Sequence, residues 1–260
     1  MPSALILLVF STLLFIGGVA PAIKALRTGH FRKKSWQWVP MLIGFALQTA
    51  SIYLRGEEVH QCPMKSLSDV LVFIAWSVVL LYFLVGPSFH VSLLGIFTAP
   101  LVAGLQIIAI LMPGAFPPYP TRPVDPWVEL HIAVSLIAYA AFALACITGV
   151  MYLLQERFLK RHQITTLFYQ LPPIQGLAKV IARLVWLGVF LLSIGLAISF
   201  KIDLPVGNSK LIVAWVVWGL YLVIGLIMAR QALSPRQVAW FASVGFAVPL
   251  ISLWLVTTHA

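Results

Sequence analysis

Eight long apolar stretches dominate this sequence and limit what it can fold into. A helix needs roughly 20 mostly apolar residues to cross the hydrocarbon core of a bilayer, and each stretch comes close to that length or exceeds it. Charged residues make up only 9% of the chain, whereas a soluble domain carries about 25%. The sequence therefore predicts an all-α, polytopic membrane protein with eight transmembrane helices, near Ala4–Ile23, Trp36–Leu54, Val70–Val85, Val91–Leu111, Trp127–Leu154, Ala182–Phe200, Leu211–Met228 and Val238–Val256.

The distribution of basic residues predicts the orientation of these segments. Of the 17 Lys and Arg residues, 12 follow the first, fifth and seventh segments, and the positive-inside rule assigns that side to the cytoplasm. Six of the 7 acidic residues fall in the opposite connections. Both termini are thus predicted on the outer side of a bacterial cytoplasmic (inner) membrane. The net charge of +10 then reflects orientation and contact with anionic membrane lipid, not a nucleic-acid site.

Two connections have a distinctive composition. The outer stretch Pro113–Trp127 contains six prolines, which predicts a stiff, extended connection. The cytoplasmic stretch His162–Ile181 is half apolar and is predicted to lie along the inner leaflet. Neither is long enough for a separate domain, so residues 1–260 are expected to form a single transmembrane bundle.

The sequence lacks the common catalytic motifs. It contains no phosphate-binding Gly-rich loop, no zincin-type His pair and no Gly-x-Ser-x-Gly elbow, so no catalytic residue is assigned and an enzyme is not expected. Cys62 and Cys146 are predicted at different membrane depths, which disfavours a disulfide. Gln48 and Gln106 are the polar residues nearest mid-membrane, and hydrogen bonds between helices are favoured for them over a substrate site.

His131 is the strongest candidate for chemistry. It lies at the outer start of the fifth segment, and residues four apart share a helix face. His131, Ser135, Tyr139 and Phe142–Cys146 therefore form one stripe that runs inward. Such a stripe could face a pocket for a planar apolar cofactor, since imidazole is a common axial ligand of haem iron. The alternative is a helix-end histidine hydrogen-bonded to Glu129 or to lipid.

His259 is a second histidine on the predicted outer side. It follows the last segment at about the depth of His131, so a bis-histidine pair is geometrically possible. A frayed C-terminus is the alternative.

The fifth segment carries a recognisable pattern, which begins Trp127-x3-His131-x3-Ser135-x3-Tyr139-x2-Phe142 and continues with Gly149-x2-Tyr152-Leu153-x-Gln155-x-Arg157-x2-Lys160. It resembles the cytochrome c assembly protein family, which includes CcsA, CcmC and the HemX-like and YpjD-like membrane proteins. Supporting stretches are Pro63-Met64-Lys65-Ser66-Leu67, Leu171-Pro172-Pro173 and AWVVWGLYLVIGLIMAR. The similar core covers about residues 36–256.

The resemblance implies haem handling during cytochrome c assembly. Haem-handling members ligate haem through an outer histidine at the position of His131, and a second outer ligand follows near the place of His259. They also carry a tryptophan-rich outer motif, where this chain has only KIDLPVGNSK. A further histidine of the family is replaced by Met228-Ala229-Arg230. The chain is therefore closer to the HemX-like and YpjD-like branch, with cytochrome c maturation proteins as expected partners.

Two alternatives remain open. HemX-like proteins are linked with control of tetrapyrrole synthesis, so the chain could be a regulator or scaffold without haem ligation. It would then contact a tetrapyrrole-synthesis enzyme through the basic segment Arg157–Arg183. A small-molecule transporter is the second alternative, although polar residues inside the membrane are few.

Overall fold

A computed structural model describes residues 2–28, 38–85, 94–118, 125–160, 173–202, 209–230 and 233–258. Throughout these ranges the regular structure is helical, without a strand, which confirms the all-α class. The helices are α1 (Pro2–Thr28), α2 (Trp38–Val59), α3 (Leu67–Val85), α4 (Leu94–Leu111), α5 (Pro126–Lys160), α6 (Ile174–Ser199), α7 (Ser209–Ala229), α8 (Pro235–Gly245) and α9 (Ala247–Thr258).

The predicted eighth segment forms two helices, whereas each of the other seven corresponds to one. Val238–Val256 is divided at Phe246 into α8 and α9. Pro249 explains the division. It lacks the N–H that would bond to the carbonyl of Gly245, and its ring clashes with that carbonyl in a continuous helix. The last residue of α8 is accordingly Gly245.

Several helical stretches are long and apolar enough to cross a membrane. Among the described residues they are Leu67–Val85, Pro126–Lys160, Ile174–Ser199, Leu211–Ala229 and Pro235–Leu253. Ser3–Val19 and Phe97–Leu111 are shorter apolar helical stretches. The chain is a multi-pass membrane protein, while the number of eight crossings and the outward termini remain predictions.

The chain divides into two compact units. Unit 1 comprises Met1–Thr121 and Arg157–Pro172, and unit 2 comprises Arg122–Glu156 and Pro173–Ala260. The first therefore contains α1 to α4, and the second contains most of α5 together with α6 to α9. The expectation of one bundle over residues 1–260 remains a prediction.

Buried amide side chains link the helices of unit 1. Thr12 Oγ1 donates to Gln106 Oε1 at 2.8 Å, and Gln106 Nε2 lies 3.4 Å from Ser11 Oγ. Gln48 Nε2 donates to the carbonyl of Val72 at 3.2 Å. These contacts confirm the interpretation of Gln48 and Gln106 as interhelical hydrogen-bonding residues.

Glycines allow the helices of unit 2 to approach α5 closely. A Cβ on Gly188 of α6 would collide with the ring of Phe142. A Cβ on Gly149 of α5 would lie 2.6 Å from Ser243 Oγ on α8. Small residues at such positions let the helix backbones approach closely. Van der Waals packing and polar contacts then stabilise the helix pair, because the hydrophobic effect is weak between helices in lipid.

Residues 113–118 contain a turn at Pro113 and Gly114, so the prediction of a stiff, extended connection is wrong at that point. Ala115 N donates to the Met112 carbonyl at 3.0 Å, and Gly114 has φ +69°, a value that suits glycine. Contacts from α2 hold this turn, since Arg55 Nη2 donates to the Pro117 carbonyl at 2.6 Å. Residues 119–124 lie outside the described part.

The prediction that His162–Ile181 lies along the inner leaflet is wrong for the last residues of this stretch. Ile174–Ile181 is the first part of α6, which begins after Pro173 at the N-cap. Leu177, Val180, Ile181 and Leu184 are buried, and their spacing is that of one helix face in the core of unit 2. Residues 161–172, the rest of the stretch, lie outside the described residues.

Candidate functional site

The candidate site lies in unit 2, at the beginning of α5. Asp125 Oδ1 accepts a hydrogen bond from Trp127 N at 3.0 Å, and Pro126 is the first residue of the helix. Asp before Pro is a favourable helix start, because the carboxylate accepts from a free N–H and proline has none to lose. This start places His131 in the second turn, where its side chain is half-buried.

A main-chain carbonyl fixes the imidazole of His131. Its Nδ1 lies 2.7 Å from the carbonyl oxygen of Gly195 on α6. A carbonyl oxygen only accepts hydrogen bonds, so Nδ1 carries the proton in this contact. Nε2 of the neutral ring then has a lone pair. Histidines that ligate metals commonly donate their other N–H in this manner.

Gly195 and Ser135 determine how closely α5 and α6 approach at this point. A Cβ on Gly195 would lie 2.7 Å from Ser135 Oγ, closer than van der Waals contact. Ser135 Oγ in turn donates to the carbonyl of His131 at 2.7 Å. The absent side chain at position 195 is therefore what allows the His131 ring to reach the carbonyl.

The inner part of the predicted stripe contacts other helices of unit 2. Tyr139 is buried, and its hydroxyl lies 3.3 Å from Ser252 Oγ on α9. Phe142 stacks on Tyr221 of α7 with ring centroids 3.6 Å apart, and Cys146 Sγ lies 3.4 Å from the Ser243 carbonyl. Protein atoms thus occupy the space next to Phe142 and Cys146.

An aromatic ring and a cation lie one helical turn before His131, toward the N-terminus of α5. Trp127 is 46% exposed, and Lys201 Nζ lies 5.9 Å from the centroid of its ring. A cation over an indole face is attracted to it. Lys201 follows Phe200, the C-cap of α6, so the end of α6 contacts the start of α5 both here and at Gly195.

His259 lies outside the described residues, because the description of α9 ends at Thr258. The pairing of the two histidines remains a prediction.

Sequence reasoning missed a buried ion pair in unit 1. The charge pattern predicts Arg55 on the outer side, among the basic residues that do not follow the first, fifth or seventh segment. It is nevertheless 7% exposed, and its Nε lies 3.3 Å from Oδ1 of Asp69, which is 4% exposed. A sequence signal exists, since opposite charges end α2 and begin α3 on the same predicted side. Cys62 and Cys146 are not joined by a disulfide, which agrees with the expectation from the sequence.

Comparisons of the sequence with known proteins identify one family. The model of the cytochrome C assembly protein family matches residues 64–199, a range that includes His131 and Gly195. Protein HemX of Brevibacillus brevis is 30% identical over 190 residues, which cover 67% of this chain and 68% of that protein. The cytochrome c biogenesis protein CcsA of Chlorella vulgaris is 30% identical over 122 residues, 42% of this chain.

The length of these matches differs between relatives. The match spans only 36% of the Chlorella CcsA, whereas it spans about two thirds of HemX. A CcsA from Synechococcus is likewise 30% identical over 122 residues and is matched over 35% of its length. With a family model that covers half of its residues, this chain belongs to the cytochrome c assembly protein family.

Proposed function

We propose that this protein binds haem near the outer end of α5 in a bacterial inner membrane and holds it for cytochrome c assembly. His131 Nε2 is the proposed axial ligand of the haem iron. The protein itself makes no covalent bond in this proposal. Its side chains bind and orient haem, which is passed to or received from cytochrome c maturation proteins.

The hydrogen bond from His131 Nδ1 to Gly195 is the observation that carries the proposal. It fixes the ring plane and, in the neutral ring, selects the tautomer with the proton on Nδ1 and the lone pair on Nε2. An imidazole ordered in advance loses less entropy on binding.

The neighbouring residues also suit a haem. Lys201 is an exposed cation at the same end of unit 2 and would attract a propionate, while Trp127 offers an exposed aromatic face. Ser135 and Tyr139 are proposed to support the inner side of the site. Ser135 does so through its bond to the His131 carbonyl, and Tyr139 through its contact with α9. His259 is the proposed second axial ligand.

A haem titration tests the proposal. The full chain, purified in mild detergent, should develop a Soret band as haem is added, with sharp α and β bands after reduction if two histidines ligate the iron. His259→Ala should then retain the Soret band but lose the low-spin α and β bands. A wild-type protein that remains colourless with excess haem would contradict the proposal.

Gly195→Ala tests the positioning of His131 without touching the imidazole. The added Cβ is expected to displace Ser135 Oγ and widen the α5–α6 contact, which lengthens the bond from Nδ1 to the carbonyl. Loss of such a supporting bond typically weakens metal binding by about 10-fold to 100-fold, so we expect about 10-fold weaker haem binding in the titration. The control is Gly195→Ala combined with Ser135→Ala, which removes the clashing oxygen and should restore most of the affinity. Equal affinity of wild type and Gly195→Ala would exclude a positioning role.

A scaffold without haem ligation is the second candidate. Lys179 and Arg183 are exposed on one face of α6, at the end predicted to be cytoplasmic, and could contact an acidic surface of a tetrapyrrole-synthesis enzyme. A colourless protein that co-purifies with such a partner, and loses it after charge reversal at Lys179 and Arg183, would favour this function over haem binding.

A further inference from the structure

A hydroxyl group in the core of unit 2 has no hydrogen-bond partner among the described residues. It belongs to Tyr221 of α7, whose side chain is fully buried. The ring of Tyr221 stacks on Phe142 of α5, with the centroids 3.6 Å apart and the planes inclined by 13°. Burial of an uncompensated hydroxyl is costly, so native proteins usually satisfy such a group with another protein atom or with an ordered water.

The Tyr221 hydroxyl lies beside the break between α8 and α9. A Cβ on Gly245 would lie 3.7 Å from Tyr221 Oη and 3.8 Å from Cδ1 of Ile224, and these are the nearest described atoms of other helices. Both distances are ordinary van der Waals contacts. The space between Gly245 and the hydroxyl therefore accommodates a group of about the size of a methyl, and Gly245 has no side chain to fill it.

The main chain of Gly245 supplies a hydrogen-bond acceptor at the same place. In a continuous helix its carbonyl would accept from the N–H of residue 249, which is Pro249 and has no N–H. The next carbonyl, that of Phe246, does receive its helical bond, from Leu250 N at 3.3 Å. A buried hydroxyl donor and a carbonyl without its helical donor thus occur together at the break.

We propose that one water molecule binds at this break and joins the Tyr221 hydroxyl to the Gly245 carbonyl. The water accepts the tyrosine proton and donates to the carbonyl, so it replaces the main-chain bond that Pro249 removes. Buried waters typically make about two to four hydrogen bonds of this kind. The bridge ties α7 to the start of α9, the helix whose Ser252 contacts Tyr139.

X-ray radiolytic footprinting of the full chain in phosphatidylcholine nanodiscs tests for this water. Radicals formed from an ordered internal water modify the side chains beside it, and mass spectrometry identifies them. We expect modification of Tyr221 despite its full burial, and none of Phe15, which is 1% exposed in unit 1. Gly245→Ala places a methyl group in the space and should reduce the modification of Tyr221 to the level of Phe15. An unmodified Tyr221 in the wild type would overturn the proposal. Because no haem is added, the result does not depend on the proposed function.

Thermal unfolding provides a second test, in which the sign of the change decides. With the water bound, the methyl group of Gly245→Ala displaces it and leaves the hydroxyl and the carbonyl without partners, so the Tm should fall by about 2–4 °C. Without a water, alanine should raise the Tm, because it is a better helix former than glycine. Tyr221→Phe should lower the Tm of the wild type, where it removes a bonded hydroxyl, but raise that of Gly245→Ala, where the hydroxyl is unpaired. A higher Tm in either single variant would overturn the proposal. Tyr221→Phe deletes only one oxygen, so it remains informative if Gly245→Ala does not fold.

Discussion

Replacing His131 with alanine should abolish the Soret band of the haem-loaded protein. The substitution removes the proposed ligand atom Nε2, and haem affinity should fall by more than the roughly 100-fold that loss of a supporting residue can cost. The fold should persist, because the side chain is half-buried and contributes one hydrogen bond, worth about 1 kcal/mol. The measurement is a haem titration followed by visible spectroscopy, with thermal unfolding recorded on the same preparation.

His60→Ala is the matched control for this experiment. His60 is an exposed histidine in unit 1 and lies outside the residues 64–199 that the family model matches. Its removal should leave the spectrum unchanged. Retention of the full spectrum in His131→Ala would show that haem is ligated by another residue. Loss of the Soret band in both variants would indicate nonspecific binding of haem to histidine.

Replacing Arg55 with methionine should cause a large loss of stability. The change keeps the approximate length of the side chain but leaves the carboxylate of Asp69 buried without its guanidinium, a situation that typically costs about 3–5 kcal/mol. The carbonyl of Pro117 also loses its donor, so the turn at residues 113–118 should loosen. The measurement is denaturant or thermal unfolding of the full chain in mild detergent.

Two comparisons make this result interpretable. The double variant Arg55→Met, Asp69→Leu buries no charge and should be closer to wild type than Arg55→Met alone. Arg236→Ala removes the contact between Arg236 Nε and Glu156 Oε2, 3.4 Å apart, whose arginine side chain is 57% exposed. It should cost at most about 1 kcal/mol. Equal destabilisation by Arg55→Met and Arg236→Ala would contradict a buried, mutually dependent pair at Arg55 and Asp69.

Hydropathy predicts the helices well. Membrane helices satisfy their main-chain hydrogen bonds within the helix, and each therefore corresponds to a long apolar run in the sequence. It failed where one residue changes the course of the chain. Pro249 interrupts the last segment although the apolar run continues. A proline at this position in the sequence is itself a signal for a helix break. Hydropathy does not predict the start of α6 at Ile174, because the polar residues Gln175 and Lys179 lower the mean hydropathy of this stretch. The apolar residues between them have helical spacing and form a buried face.

The candidate site was predictable in part. His131 and its stripe follow from helical periodicity, since the residues are neighbours in sequence. The contact between His131 and Gly195 joins residues 64 positions apart and depends on the packing of α5 against α6, which no local pattern reports. The ion pair of Arg55 and Asp69 was hidden for a different reason. Charges near a predicted membrane surface are normally solvated, whereas Arg55 and Asp69 are buried and Arg55 also donates to the Pro117 carbonyl.

Main-chain atoms are present whatever residue occupies a position, so no point mutation can delete the oxygen that orients His131. A carboxylate partner would be lost with a single base change, but here only a change in the separation of the two helices removes the bond. The orientation of the imidazole is therefore robust to sequence drift over most of α6 and vulnerable at the two facing positions, 135 and 195. During evolution, such a histidine can be retained while nearly all of its surroundings are replaced.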